Sequence, residues 1–259
     1  MAALYNTKPV FLLLIPFLML HRNSDTSFKF PNFSGPNANT LLTFQGAAYE
    51  SRGVIQLTEV QNNGSIMPNS AGRATHALPV RLWDAQTGKV ASFTTTFTFK
   101  ILNAPTLDFG DGVSFFLAPF GSDMPHDAVG GYLGLFSPHT ALKNTNRNQM
   151  VAVEFDMHQN VWDPPFPHIG IDINSISSVT AVAWENKQLG IATVSATVAY
   201  DPVAQNLSVV VSNDGPRIGH VIDLTTVLPE WVSVGFSGAT GQLIELHQII
   251  SWTFTSSFD

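Results

Sequence analysis

An all-β fold, an antiparallel sandwich or barrel with almost no helix, is predicted by three observations. Runs rich in Val, Thr and aromatic residues recur at short spacing, polar turn clusters separate them, and no segment keeps a helical period over three turns. The chain has 259 residues. Nothing in it reads as a repeat, a low-complexity stretch or a linker, so one large domain over 25–259 is expected.

Taken in order, the chain begins with a polar start carrying Lys8, a 12-residue apolar run from Pro9 to Leu20, and the polar stretch His21 to Asp25. That is the pattern of a secretory signal peptide over 1–24, with cleavage expected within 22–26. The run is broken by Pro16 and is short of the roughly 20 apolar residues of a membrane anchor. A turn is expected at Gln61-Asn-Asn-Gly64 and another at Gln86-Thr-Gly88, followed by a strand from Val90 to Phe99. Met150 to Asp156 alternates as a strand, and an apolar stretch follows over His168 to Ile173. Gly190 to Tyr200 and Leu207 to Ser212 read as further strands, closed by turns at Tyr200-Asp-Pro202 and Ser212-Asn-Asp-Gly215.

Charge and composition remove several classes of function. Asp and Glu number 19 against 12 Lys and Arg, a net charge of −7, and loss of Lys8 and Arg22 with the leader makes the remainder more acidic still. Such a chain is a poor ligand for polyanions, so nucleic acid and anionic membrane surfaces are discounted. The lack of cysteine is compatible with secretion, because a core of this size needs no disulfide staples. Asn32, Asn63 and Asn206 each open an Asn-x-Ser sequon, and Asn63, in a turn, is the best placed for a glycan.

The chemistry concentrates between Glu154 and His168. On the strand from Met150, Val151, Val153 and Phe155 face one way, and Glu154 and Asp156 the other, about 7 Å apart. Two carboxylates projecting together from a sheet repel each other and lose hydration, a cost that a bound cation relieves. Asn160 and Asp163 follow from a loop stiffened by Pro164, Pro165 and Pro167, and His168 opens the next strand. Five candidate ligands thus fall within 15 residues. The oxygen-rich part suits Ca2+, and the carboxylates with one imidazole suit a transition ion such as Mn2+.

This segment resembles the metal-binding signature of the legume lectins, in which a Glu-Phe-Asp strand, an Asn, an Asp-Pro and a His-Ile-Gly-Ile-Asp run follow at this spacing. The resemblance continues through Leu42-Thr-Phe-Gln-Gly46, Gly53 to Leu57, Val90 to Phe93, Asp201 to Ser208, Leu228 to Val232, Gly235 to Gly241 and Ser251 to Phe254. It implies an antiparallel jelly-roll sandwich of the concanavalin A type. It further implies a transition metal held by Glu154, Asp156, Asp163 and His168, with Ser178 steadying a bound water. Ca2+ would be held by Asp156, the His158 carbonyl, Asn160 and Asp163.

The same resemblance assigns the sugar-binding groups. Phe109 to Pro119 is similar to the family's first loop, in which Asp111 accepts from two sugar hydroxyls after a cis peptide at Gly110–Asp111. Gly130-Gly-Tyr-Leu-Gly134 is similar to the second loop, with the Gly131 N–H as donor. Asn160 would serve both Ca2+ and sugar, as its split amide allows. Gln242 and Leu243 would reach the ligand from the short fourth loop, whose length resembles that of mannose/glucose-binding members. The family usually has an aromatic ring at His158, facing the sugar, and Ala at Gly110. The expected protein is therefore a secreted, non-enzymatic lectin, extracellular or vacuolar, that binds glycans and glycoproteins as a homodimer or homotetramer.

Three other classes of protein share parts of this pattern. A jelly-roll glycoside hydrolase shares a Glu-x-Asp strand, but hydrolysis needs a second acid about 5–10 Å away, and Met157, His158 and Gln159 supply none. A lectin-like storage or defence protein without sugar binding usually lacks some of the ligands present here. A receptor-kinase lectin domain would carry a membrane span after the last strand. A galactose/GalNAc-type lectin is the alternative specificity. His76, His126, His139, His220 and His247 show no partner pattern, and Trp83, Trp184, Trp231 and Trp252 are expected to pack the core.

Overall fold

A computed structural model describes residues 25–103, 110–145, 147–184, 193–212 and 215–258. The expected leader 1–24, Phe109 of the first loop, Gly190, Ile191 and Ala192 of one expected strand, and Asn213 and Asp214 of one expected turn lie outside the described residues. The strands are Thr26–Phe30 (β1), Leu42–Gly46 (β2), Tyr49–Ser51 (β3), Val54–Gln56 (β4), Ala71–His76 (β5), Val80–Arg81 (β6), Ser92–Asn103 (β7), Gly112–Pro119 (β8), Val151–Asp156 (β9), His168–Ile173 (β10), Thr180–Ala183 (β11), Val194–Asp201 (β12), Asn206–Val211 (β13), Arg217–Val221 (β14), Trp231–Ala239 (β15) and Glu245–Ser257 (β16). Helix among the described residues is limited to Pro36–Leu41 and two short 3-10 turns, Gly130–Tyr132 and Leu224–Thr226. None is long and apolar enough to cross a membrane.

Two eight-stranded antiparallel sheets result. One runs β14-β13-β12-β7-β16-β4-β3 with β1 on β16, and the other β11-β10-β9-β8-β15-β5-β2 with β6 on β15. The chain passes between sheets at β1 to β2, β2 to β3, β4 to β5, β6 to β7, β7 to β8, β11 to β12, β14 to β15 and β15 to β16, so neighbours in sequence often pack face to face. The expected strand at Val90 starts two residues later, at Ser92, and runs on to Asn103, while His168–Ile173 forms a strand with the expected bounds.

The inner faces meet through aromatic rings. Phe97 of the first sheet lies 4.9 Å from Phe236 and 5.8 Å from Phe115 of the second, and Phe99 lies 4.7 Å from Phe155. Each large buried ring removes apolar area on the scale of a few kcal/mol, so this layer dominates the stability. Trp252 and Trp184 are buried in it, and Trp83 packs against it while donating to the Leu228 carbonyl. Trp231 departs from expectation: it is 39% exposed, on a strand end, with the Arg81 guanidinium 5.6 Å from its ring centroid.

A second, smaller apolar layer covers the outer face of β8 and β9, built from Phe116, Ala118, Leu133, Leu135, Phe136, Ala141, Met150, Ala152 and Ile176. It makes β9 buried on both faces. The side of β9 that alternation marks as polar is therefore dry, and this sets the chemistry of Glu154 and Asp156.

Candidate functional site

Strand β9 presents Glu154 and Asp156 on the face away from the main core, at 0% and 1% exposure. Their cross-strand neighbours are Ser114 and Gly170 for Glu154, and Gly112 and His168 for Asp156. Small neighbours make room for the acids. A Cβ on Gly170 would stand 2.5 Å from Glu154 Oε1 and 2.0 Å from Ser178 Oγ, so only glycine fits beneath them.

The cluster is extensively bonded yet incomplete. Glu154 Oε1 pairs with His168 Nε2 at 2.9 Å and accepts from Ser178 Oγ at 2.5 Å, while Ser178 also lies 2.7 Å from Asp172 Oδ1. Glu154 Oε2, Asp156 Oδ2, Asp172 Oδ2 and Asn160 Oδ1 are buried without a protein partner. Burial, reinforced by Glu154, pushes the Asp156 and Asp172 carboxyls well above the ordinary carboxylate range. Burial pushes Asp163 up to about 6, although it accepts from the Asn160 N–H. At His168 burial opposes the charged ring, and Glu154 and Asp163 more than offset it.

Ligand atoms of Glu154, Asp156 and His168 lie within 4.8 Å of one another. Buried anionic oxygens that lack donors, beside one imidazole, form a donor set that fits divalent cations. Asp163, expected to join them, lies outside that group and is tied within the following loop by Asn160 N–H, which donates to its Oδ2 at 2.7 Å, while His158 N–H joins the loop to the cluster by donating to Asp156 Oδ1 at 2.7 Å.

Four loops converge beside this cluster. The peptide Gly110–Asp111 is cis. Asp111 is fixed on both sides, its N–H donating to the Ala239 carbonyl and its own carbonyl accepting from Met157 N–H. Its carboxylate, 3% exposed for the residue as a whole, lies against Gly130 and Gly241, where added Cβ atoms would stand 3.7 and 2.9 Å from Oδ2. Burial raises the Asp111 carboxyl to about 6. Gly131 backs directly onto Asn160, whose Oδ1 would be 2.0 Å from an added Cβ. Gly110 is flanked by Leu243 and His158 side chains, and Gln242 is exposed at the tip of the fourth loop. Asp111, Gly131, His158, Asn160 and Leu243 are thus brought together.

Two buried groups were missed by sequence reasoning. Asp172 shares the face of β10 with His168 and Gly170, which the period of two already implies. Glu245 and His247 are both fully buried at the root of the fourth loop, paired at 2.7 Å, with the other ring nitrogen 3.3 Å from Thr58 Oγ1. Their spacing on β16 was the available signal.

A sandwich of this topology carrying this cluster is that of a legume lectin, and the chain belongs to that family, whose members bind carbohydrates without turning them over: the legume lectin domain model matches residues 25–259. The chain is similar to Lectin 7 of Medicago truncatula, at 48% identity over 97% of this chain and 97% of that one. It is also similar to a mannose/glucose-specific lectin of Centrolobium tomentosum, at 43% identity over 89% of this chain and 95% of the relative. Among solved structures, a lectin from Bauhinia forficata in complex with GalNAc superposes with a TM-score of 0.82 at 38% identity, covering 91% of this chain and 99% of that one.

Proposed function

We propose that this protein is a Ca2+- and Mn2+-dependent lectin of the mannose/glucose type. The observation that carries the reading is the group of unpartnered buried oxygens on Glu154, Asp156 and Asn160, set against the loops of Asp111 and Gly131. Glu154, Asp156, Asp163 and His168 would hold the transition ion, with Ser178 near its water. Asp156, the His158 carbonyl, Asn160 and Asp163 would hold Ca2+. The ions supply positive charge that neutralises the buried carboxylates and fixes the loop that carries Asn160.

Asp111 then accepts from sugar hydroxyls, Gly131 N–H and the Asn160 amide donate, and His158, Gln242 and Leu243 line the remainder. Rigid donors and acceptors bind polyols because little entropy is lost on ligand arrival. Glu154 and Asp156, as metal ligands, are unavailable for proton transfer, in keeping with a site that binds without turnover. The Centrolobium relative supports mannose/glucose specificity, and the Bauhinia complex makes a galactose/GalNAc type the second reading.

The leader over 1–24 directs the chain into the secretory pathway, to an extracellular or vacuolar destination. Sequons at Asn32 and Asn63 are exposed, and Asn206 is half-buried, so the first two are the better glycan acceptors. Assembly as a homodimer or homotetramer would give avidity for multivalent glycans. A glycan array read before and after EDTA, with elemental analysis of the same samples, tests the reading. It predicts mannose- or glucose-terminated ligands bound only by protein carrying both metals; silence in both states would instead indicate a storage or defence role.

A further inference from the structure

Arg73, on β5, is a buried cation outside the metal cluster. It is 2% exposed, and among the described residues no carboxylate lies within ion-pair distance of it. Burial lowers its pKa to about 10. An unpaired buried charge is costly, and it persists where its hydrogen bonds are all used for something specific.

Two of its three hydrogen bonds hold one loop. Nε donates to the Gly134 carbonyl at 2.6 Å, Nη2 to the Leu135 carbonyl at 2.8 Å, and Nη1 more weakly to the Asp123 carbonyl at 3.4 Å. Phe116 lies below the guanidinium, its ring centroid 4.9 Å away. The loop so held is locally strained: Leu133 sits in the left-handed region at φ 52°, next to Gly134 at φ 69°, a conformation unfavourable for a branched side chain. Its other end is tied by Gly130 N–H to the Thr240 carbonyl. Gly131 lies between these two anchors, its Cα against Asn160.

We infer that Arg73 is a positioning residue for sugar recognition: its planar fork fixes the Gly134 and Leu135 carbonyls together and so holds the Gly131 N–H at the sugar face. This rests on the sugar-binding reading above. A lysine ammonium on the same stem is a single point donor and cannot span both carbonyls with the same geometry.

The test uses the full chain with Arg73→Met and Arg73→Lys. Three quantities are measured: affinity for methyl α-mannoside and methyl α-galactoside, bound Ca2+ and Mn2+, and amide hydrogen exchange. Losing two charge-assisted hydrogen bonds at the loop is expected to weaken the better of the two sugars about tenfold or more in Arg73→Met. Metal content should stay at the wild-type level, and exchange should accelerate over residues 130–136 but not over β9. Arg73→Lys should recover part of the affinity. Wild-type affinity in folded Arg73→Met, or exchange that rises uniformly across both sheets, overturns the inference. Should Arg73→Met not fold, Arg73→Lys decides: weakened sugar binding at unchanged melting temperature supports the inference, and unchanged affinity sinks it. If wild-type protein binds neither sugar nor any arrayed glycan, the parent reading fails, and the exchange contrast still decides whether Arg73 sets this loop.

Discussion

Single atoms set the tolerances at this site. Gly131 has no room for a methyl group, since its Cβ would fall 2.0 Å from Asn160 Oδ1. Gly131→Ala is therefore expected to displace Asn160 and reduce sugar affinity by about two orders of magnitude, while costing only about 1–3 kcal/mol of stability; calorimetric titration and thermal melts read the two separately. Glu154 is a different case, because it crowds Asp156 and Asp172. Glu154→Gln removes a charge from a dry cluster, so the protein in EDTA should melt no lower than wild type, whereas the rise in melting temperature on adding Ca2+ and Mn2+ should vanish.

The same carboxyls fix a pH dependence. Asp111 and Asp163 are raised to about 6, and Asp156 and Asp172 are raised well above the ordinary carboxylate range, all chiefly by burial. A carboxyl raised on folding adds stability below its unfolded value, and that contribution is lost as pH climbs through the folded value. Metal-free protein should thus lose stability from these groups as pH rises from about 4 through about 6 and beyond. Metal binding runs the other way, because the ligands must be ionised. The gap in melting temperature between metal-loaded and EDTA-treated protein should widen between about pH 5 and pH 7.5, measured by scanning calorimetry. A constant gap would count against the assignment of Asp156 and Asp163 as ligands.

Among elements, β9 carries most of the argument. Its alternation was legible from Val151, Val153 and Phe155, and the structure gives each a place in the main core. The second apolar layer over its outer face was not legible, because Phe116, the Leu133–Phe136 loop and Ile176 are far apart in the chain and meet only in three dimensions. Asp172 and the Glu245–His247 pair differ: their period-two spacing was available in the sequence, and only their burial depended on the packing of the rest of the chain. Turns carried clearer signals than strand ends, since Gly, Asn and Asp act locally. Phe155 joins Phe97, Phe99 and Trp184 through ring contacts of 6.0, 4.7 and 5.6 Å. Phe155→Ala should cost about 3–5 kcal/mol in urea unfolding. It should also weaken metal binding, because Glu154 and Asp156 flank it in sequence.

At the scale of the molecule, the sheets form a rigid frame and the site a metal-dependent addition to it. The aromatic layer between the sheets includes none of the metal-ligating side chains, so EDTA should leave the fold intact and loosen chiefly the loops around Asp111, Gly131 and Asn160. Each ion, present at 100 times its dissociation constant, should add about 2.7 kcal/mol to the unfolding free energy by mass action. Family, sandwich and metal segment were legible in the sequence because they are carried by short contiguous motifs. The dry second layer and the Arg73 anchor were not, because they depend on contacts between distant parts of the chain.

Calorimetric titration of methyl α-mannoside into one preparation, first stripped with EDTA and then restored with Ca2+ and Mn2+, tests the central claim most directly. The account predicts no measurable heat of binding from the stripped protein, and binding with one sugar per chain once both ions return. Equal affinity in the two states would show that the carboxylates on β9 do not hold the sugar site in shape.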